Sequence, residues 1–249
     1  MIEILLSGAS GRLCSAVARL AKERDDVHIL AGVEIAPCDL PFPVYASFEE
    51  VPTVPDVIID CSHHSTISAL LSYAKAHFVP VVVCTTGHTE EEAAMIRQAA
   101  KDIPVLKSQN MSLGINVLVD LVKRAASILG DEYDIEIIEA HHNKKLDAPS
   151  GTAYMLAEAA KSVKTDAEFV YGRHDVRQAR DKREIGISSI RGGTIVGEHE
   201  VIFAGLDEVI KISHSAGSRD LFAVGALKAA VYLCGKEAGF YTMEDVCRE

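Results

Sequence analysis

The sequence has no surplus of positive charge. Lysine and arginine number 25 against 36 aspartates and glutamates, a formal charge of −11. Such a chain lacks the electrostatic footprint of a protein that neutralises a phosphate backbone, and anionic lipid repels it. No nucleic acid and no membrane are therefore expected among its partners. Also missing is an apolar run of about 18 residues, the length a spanning helix needs. The first apolar run, Ile2-Glu3-Ile4-Leu5-Leu6, has no basic segment ahead of it and is too short for a secretory leader. The cysteines at 14, 38, 61, 84, 234 and 247 include no CxxC pair. Scattered thiols in a chain with no leader signal read as reduced packing residues rather than a disulfide framework or zinc site. A cytoplasmic location is the expectation. Internal repeats and low-complexity tracts are absent as well.

What is present is core material. At 48% hydrophobic over 249 residues, disorder is excluded as the main state, and there is room for one large domain or two modest ones. Short apolar runs alternate with helical stretches up to about residue 106. Strands are expected at Ile2–Leu6, His28–Val33, Val57–Asp60, Val79–Val83 and Ile103–Leu106. Between them, helices are expected over Arg12–Arg24, Ser65–Ala76 and Glu90–Ala100. Near-continuous apolar strands separated by helices indicate an α/β parallel sheet covered on both faces. Near residue 112 the texture changes. Helices are expected over Gly114–Leu129 and Gly151–Lys161, and strands over Tyr133–His142, Ile185–Ile190, Ile195–Phe203 and Val209–His214. The polar stretch Tyr171–Arg183 reads as a loop. Consecutive strands without intervening helices point to a second domain of α+β type, and a last helix, Ser218–Cys234, is expected to return to the first.

The first strand ends in Ser7-Gly8-Ala9-Ser10-Gly11-Arg12-Leu13, directly ahead of a helix. A glycine turn there lets the backbone approach a pyrophosphate, whose charge sits on the helix N-terminal N–H groups. Ser10 and Leu13 stand where GxGxxG has its second and third glycines, so a plain βα turn competes with this reading. Glu34 closes the second strand, 21 residues past Leu13, where a carboxylate can accept from both adenosine ribose hydroxyls. Cys84-Thr85-Thr86-Gly87 and Ser108-Gln109-Asn110-Met111 end the fourth and fifth strands, and ligands of open α/β sheets gather at such carboxyl ends. Taken in order, these parts favour a dinucleotide site.

The densest polar constellation runs from Glu139-Ala140-His141-His142 through Lys144-Lys145 to Asp147-Ala148-Pro149-Ser150-Gly151-Thr152-Ala153. Pro149-Ser150-Gly151-Thr152 opens a helix, so N–H groups and hydroxyls converge as a carboxylate or phosphate site; ordinary N-capping by Ser150 is the competing reading. Imidazole exchanges protons near neutral pH and a lysine can donate one. Ile135 and Ile137 share a strand face with His141, and the ring at the strand end is expected to point out of the core toward a cleft between domains. Metal binding is not expected. Adjacent strand histidines point to opposite faces, HExxH is absent and lysines crowd the pair. His63-His64 reads as capping or rim.

At these residues the sequence resembles the dihydrodipicolinate reductase family. The run from Glu139 to Ala153 matches that family's signature. Support comes from Gly8 to Arg12 (GxxGR), Thr85-Thr86-Gly87, Asn110 to Asn116, Arg191-Gly192-Gly193, Val196-Gly197-Glu198-His199 and Ser213-His214-Ser215-Ala216 to Arg219. The resemblance implies a Rossmann-like nucleotide domain at 1–112 with 218–249 packed back on it. It also implies a substrate-binding and oligomerisation domain on an open mixed sheet at 113–217, and a homotetramer joined through those sheets. It assigns His141 the acid/base role, Lys145 the proton donation, and His142 a substrate contact. Ser150, Gly151 and Thr152 hold a substrate carboxylate. The cofactor, NADH or NADPH, is lined by Gly8, Ala9, Ser10, Gly11, Arg12, Leu13, Glu34, Thr85, Thr86, Ser108, Gln109, Asn110 and Met111.

The implied reaction is reduction of a small cyclic dicarboxylate, 4-hydroxy-tetrahydrodipicolinate, with loss of water, in lysine and diaminopimelate synthesis. The chain departs from the family at Leu13-Cys14, Cys84 and Cys61, and at Ile35, where many members carry an arginine. Glu34 without that cation favours NADH at least as well as NADPH, while Arg12 leaves a route to a 2′-phosphate. Two other readings stay open at this point. One is a different two-domain dehydrogenase, since fold alone does not set the reaction. The other is a cofactor-sensing protein, which would need no proton donors.

Overall fold

The computed structural model describes residues 1–249. The chain opens with β1 (Ile2–Ser7), α1 (Arg12–Ala21), β2 (Val27–Val33), β3 (Val44–Tyr45), β4 (Val57–Asp60) and α2 (Ile67–His77). It continues through β5 (Val81–Val83), α3 (Glu90–Ala99), β6 (Pro104–Lys107), α4 (Leu113–Leu129), β7 (Asp134–His141) and α5 (Gly151–Lys161). Then come β8 (Glu168–Tyr171), β9 (Glu184–Arg191), β10 (Glu198–Ala204), β11 (Val209–Ser215), α6 (Asp220–Leu233), β12 (Gly239–Tyr241) and α7 (Met243–Arg248). Two compact units result: Met1–Leu113 with Asp220–Glu249, and Gly114–Arg219. No helix is long and apolar enough to cross a membrane.

The first unit is a seven-stranded, all-parallel sheet in the order β12-β6-β5-β4-β1-β2-β3. Alternation along β1 sends Ile4 and Leu6 to one face and Leu5 to the other, as a period of two requires. Ile4 and Leu6 join Val17, Ala226 and Leu227 from α1 and α6. Leu5 joins Ile67, Leu70 and Ile96 from α2 and α3. Covering both faces is what allows such unbroken apolar strands. Pro104 begins β6 and Pro80 precedes β5, positions where the missing N–H costs nothing.

The second unit has a five-stranded mixed sheet, β11-β10-β7-β9-β8. β7 pairs parallel with β9 and antiparallel with β10. One face carries Ile135, Ile137, Ile187, Val201 and Phe203 against Leu118 and Val122 of α4 and Leu156 and Ala160 of α5. The fold is therefore α/β, a Rossmann-like parallel sheet plus a separate α+β unit on a mixed sheet.

Several elements depart from the sequence-based expectation. β3, β8, β12 and α7 are unforeseen, because two to six residues show no measurable periodicity. β10 begins at Glu198 rather than Ile195: Gly193 turns with φ +46°, and Gly197 accepts from Ala216 N–H at its carbonyl, outside the β10–β11 ladder. α1 ends at Ala21, with Glu23 and Arg24 N–H closing tight turns on Leu20 and Ala21.

Candidate active site

In the first unit, Gly8 sits at φ +76°, and a Cβ there would lie 2.7 Å from Ser62 Cα and 2.9 Å from the Cys61 carbonyl. Only glycine tolerates both constraints. The segment behind it is braced by Asp60, 1% exposed, which accepts from the hydroxyls of Ser7 (2.8 Å) and Ser62 (2.5 Å). Gly11 caps α1 and offers no side chain to the first-turn N–H groups, the arrangement that receives a phosphate. Glu34, at the end of β2, accepts from Ser10 N (3.1 Å), Ser10 Oγ (2.6 Å) and Ile35 N (3.0 Å). Burial pushes its carboxyl up, but the Ser10 and neighbouring hydrogen bonds outweigh it and hold the group below the usual carboxylate range. A ribose diol would meet an ionised acceptor tied to the glycine turn.

Thr85, Thr86 and the segment Ser108–Met111 follow the carboxyl ends of β5 and β6. Thr85 Oγ1 donates to the Asp60 carbonyl (3.5 Å), and Ser108 Oγ to the Asn110 carbonyl (2.8 Å). Arg12, Thr86 and Gln109 are exposed. Ala9 and Met111 are not: their side chains are 1% and 3% exposed and pack in the core, so only their backbones can face a ligand. Cys14, Cys61 and Cys84 adjoin one another behind the turn as free thiols. The hydrogen bond with Cys61 and burial push the Cys14 thiol well up, which keeps it protonated.

In the second unit, alternation along β7 buries Ile135, Ile137, Glu139 and His141 on one face. This corrects the expected direction of the His141 ring. It lies on the core side, 9% exposed, with its ring edge-on to His199 at 5.1 Å between centroids. The strand's last inward positions have simply changed from isoleucine to an acid and an imidazole. His141 Nδ1 meets Glu139 Oε2 at 2.5 Å. Glu139 is 0% exposed and also accepts from Arg191 at both oxygens (2.9 and 2.7 Å) and from Ser150 N (3.2 Å). Burial pushes its carboxyl up, yet the hydrogen bonds from Arg191, Ser189 and His141 prevail and bring it down to about 2. For His141, burial pushes the imidazole down and Glu139 only partly restores it, so the ring is neutral near pH 7.

His142 Nε2 lies 3.1 Å from Arg219, whose guanidinium can only donate, so Nε2 is the accepting nitrogen in that contact. Lys145 Nζ is held by Asp147 at 2.8 Å, whereas Lys144 is exposed. Helix α5 starts at Gly151 after a cis Ala148–Pro149 bond. Ser150, 2% exposed, accepts from Ala153 N and meets His199 Nε2 at 3.0 Å. Its hydroxyl is thus engaged in capping, the competing reading of the sequence. A Cβ on Gly151 would meet nothing within 4 Å, so the fold itself does not demand glycine there. In the first unit, His63 accepts from Ser65 N–H and His64 pairs with Glu92.

Residues 2–111 match the N-terminal domain, and residues 114–247 the C-terminal domain, described as dihydrodipicolinate reductase. The chain belongs to the dihydrodipicolinate reductase family. It is 51% identical to the 4-hydroxy-tetrahydrodipicolinate reductase of Caldanaerobacter subterraneus subsp. tengcongensis, over 100% of this chain and 99% of the relative. It is 44% identical to that of Clostridium novyi, over 100% and 99%. Its fold is similar to the dipicolinate-bound dihydrodipicolinate reductase of Paenisporosarcina sp. TG-14, with a TM-score of 0.83 at 22% identity, covering 98% of this chain and 99% of the other.

Within this reductase fold, sequence reasoning gave no role to Glu139, Arg191, His199 or Arg219. Glu139 had a signal, since positions two apart on a strand share a face. Arg191 stood in the matched Arg191-Gly192-Gly193 segment, but nothing local tied it to His141, which it reaches only through the β7–β9 register, 50 positions along the chain.

Proposed function

We propose that this chain reduces 4-hydroxy-tetrahydrodipicolinate to tetrahydrodipicolinate with loss of water, using NADH or NADPH, in lysine and diaminopimelate synthesis. The observation that carries the reading is the buried Glu139–His141 pair beside the start of α5, in a chain of this family. The residues of the first unit fit a dinucleotide. Gly8 and Gly11 allow the tight turn in which a Cβ would strike the chain's own backbone, the α1 start offers N–H groups, and Glu34 offers an ionised acceptor for a ribose diol. Residues 1–112, with 218–249, form the cofactor domain, and residues 113–217 the substrate and assembly domain.

When bound, the dihydronicotinamide supplies the hydride that reduces the ring. The chain's own residues then bind and orient a cyclic dicarboxylate and move protons. Gly151 and Thr152 at the start of α5 receive one carboxylate, with Ser150 fixing that helix start and His142 contacting the substrate. Lys145 and His141 supply the proton that the reduced, electron-rich ring takes up and the acid that departure of water requires. We assign the cytoplasm as location and a homotetramer as assembly, joined through the face of the mixed sheet opposite α4 and α5, where Ile190 is 51% exposed.

Cofactor choice follows from charge. Glu34 is ionised and Ile35, 80% exposed, supplies no cation, so a 2′-phosphate is repelled there and only Arg12 can offset it. The test is loss of reduced-cofactor absorbance with freshly generated 4-hydroxy-tetrahydrodipicolinate. Turnover with kcat/KM for NADH at least equal to that for NADPH is expected. No turnover with either cofactor defeats the assignment, and a clear NADPH advantage defeats the role given to Glu34.

A further inference from the structure

Glu139 stands where β7 would otherwise continue its buried apolar series of Ile135 and Ile137. A carboxylate at such a place is costly unless every lone pair is met. Hydrophobic residues of similar volume often serve stability equally well there. Its retention therefore calls for a reason beyond packing. Five donors converge on it: two nitrogens of Arg191, the Ser150 amide, His141 Nδ1 and the Ser189 side chain. Arg191 also donates to the carbonyls of Ile190 (2.7 Å) and Asp147 (2.6 Å). One buried carboxylate thus links the His141 ring, the start of α5 and the loop that carries Lys145.

We infer that Glu139 is the positioning residue of the acid–base chemistry: by accepting from His141 Nδ1 it sets the ring's orientation and tautomer, leaving Nε2 to exchange the proton. The inference rests on the role proposed above for His141. A neutral imidazole whose Nδ1–H points at a carboxylate has its lone pair on Nε2, and a carboxylate partner stabilises the imidazolium that forms when Nε2 is protonated. The surroundings of Nε2 agree. A Cβ on Gly197 would stand 3.2 Å from it, so the absence of a side chain there keeps that edge of the ring clear. The groups facing the ring are Glu139 on its own strand, Arg191 on β9, His199 on β10 and Lys145 on the following loop. His214 on β11 lies across from His199 in register. Burial and the nearby His141 push His199 down to about 4, so it stays neutral and does not substitute for Glu139 as a counter-charge.

The experiment uses the full-length protein and its Glu139→Gln variant, with His141→Ala in parallel. In the unaltered protein without ligands, imidazole 15N chemical shifts should show His141 as the Nδ1–H tautomer at pH 7. Glu139→Gln keeps the volume and an acceptor but removes the charge. It should lower kcat by roughly 10²-fold, the lower end for a positioned acid or base, with KM for the substrate little changed. Glu139 favours the protonated ring, which is the form that donates, so its loss should move the His141 ionisation, and the alkaline limb of the kcat profile with it, to lower pH. An unchanged kcat and pH profile overturns the inference, as does a loss confined to KM, which would mean that Glu139 only shapes the binding loop. If the variant does not fold, the tautomer in the unaltered protein decides: an Nε2–H ring or an imidazolium at pH 7 overturns it. Normal turnover by His141→Ala instead defeats the catalytic assignment of His141, and the tautomer measurement separates the two failures.

Discussion

Among single residues, the proposed proton chemistry falls on His141 and Lys145, four positions apart, and each is held by an acid on its own segment. Glu139 grips the imidazole from the buried side, and Asp147 holds the ammonium at 2.8 Å. Neither group lies in the unit that carries the glycine turn. His141→Ala and Lys145→Ala should therefore each lower kcat by roughly 10²–10⁴-fold while NADH affinity, measured by calorimetric titration, stays put. Lys144→Ala is the control, because its exposed side chain has no comparable anchor. The double variant should fall short of the product of the single losses, since groups that act as a unit are not additive. Equal damage from both lysine changes would show that loop charge, and not one positioned ammonium, matters.

Among the elements, β7 and α5 do most to shape the site. β7 was legible as a strand from its alternation, and α5 from Ser150 and the alanine-rich run behind it. The direction of His141 was misjudged because alternation tells which residues share a face and not which face a helix will cover. Short edge strands escaped for a different reason: β3 has two residues and β12 three, too few for any period to appear. At the start of α5, Gly151 gives a sharp prediction. Its Cβ position is open in the fold, and alanine is the better helix former by about 1 kcal/mol. Gly151→Ala should keep or raise the melting temperature, yet raise KM and weaken binding of pyridine-2,6-dicarboxylate, if that space is kept for a carboxylate. Unchanged binding in a calorimetric titration would remove Gly151 from the site.

At the level of the whole molecule, three apolar cores lie in two units, one on each face of the parallel sheet and one on the mixed sheet, and the buried titratable cluster belongs to the last. His199 lies near 4 instead of 6.5, first through burial, and Glu139 near 2 instead of 4.5, where the Arg191 hydrogen bonds overcome burial. Both are depressed, so the unfolded chain binds more protons in each window, and stability rises with pH there. Loss should begin as pH drops below about 6.5 through His199, and continue from about 4.5 toward 2 through Glu139. Unfolding followed by circular dichroism should show this, and His199→Asn should remove about one proton from the uptake between pH 6.5 and 4. An unchanged slope would mean that His199 does not carry the effect. By itself the sequence determined the alternation of strands and helices in the first unit, the glycine turn ahead of α1, and the crowding of histidine, lysine and PSGT residues near position 145. These are local patterns of period, turn chemistry and composition. Only the tertiary structure decided that β12 closes the parallel sheet, that His141 faces inward, and that Arg191 meets Glu139. Those facts depend on strand register and on which sheet face the helices cover, and both are settled by contacts between residues far apart in the chain.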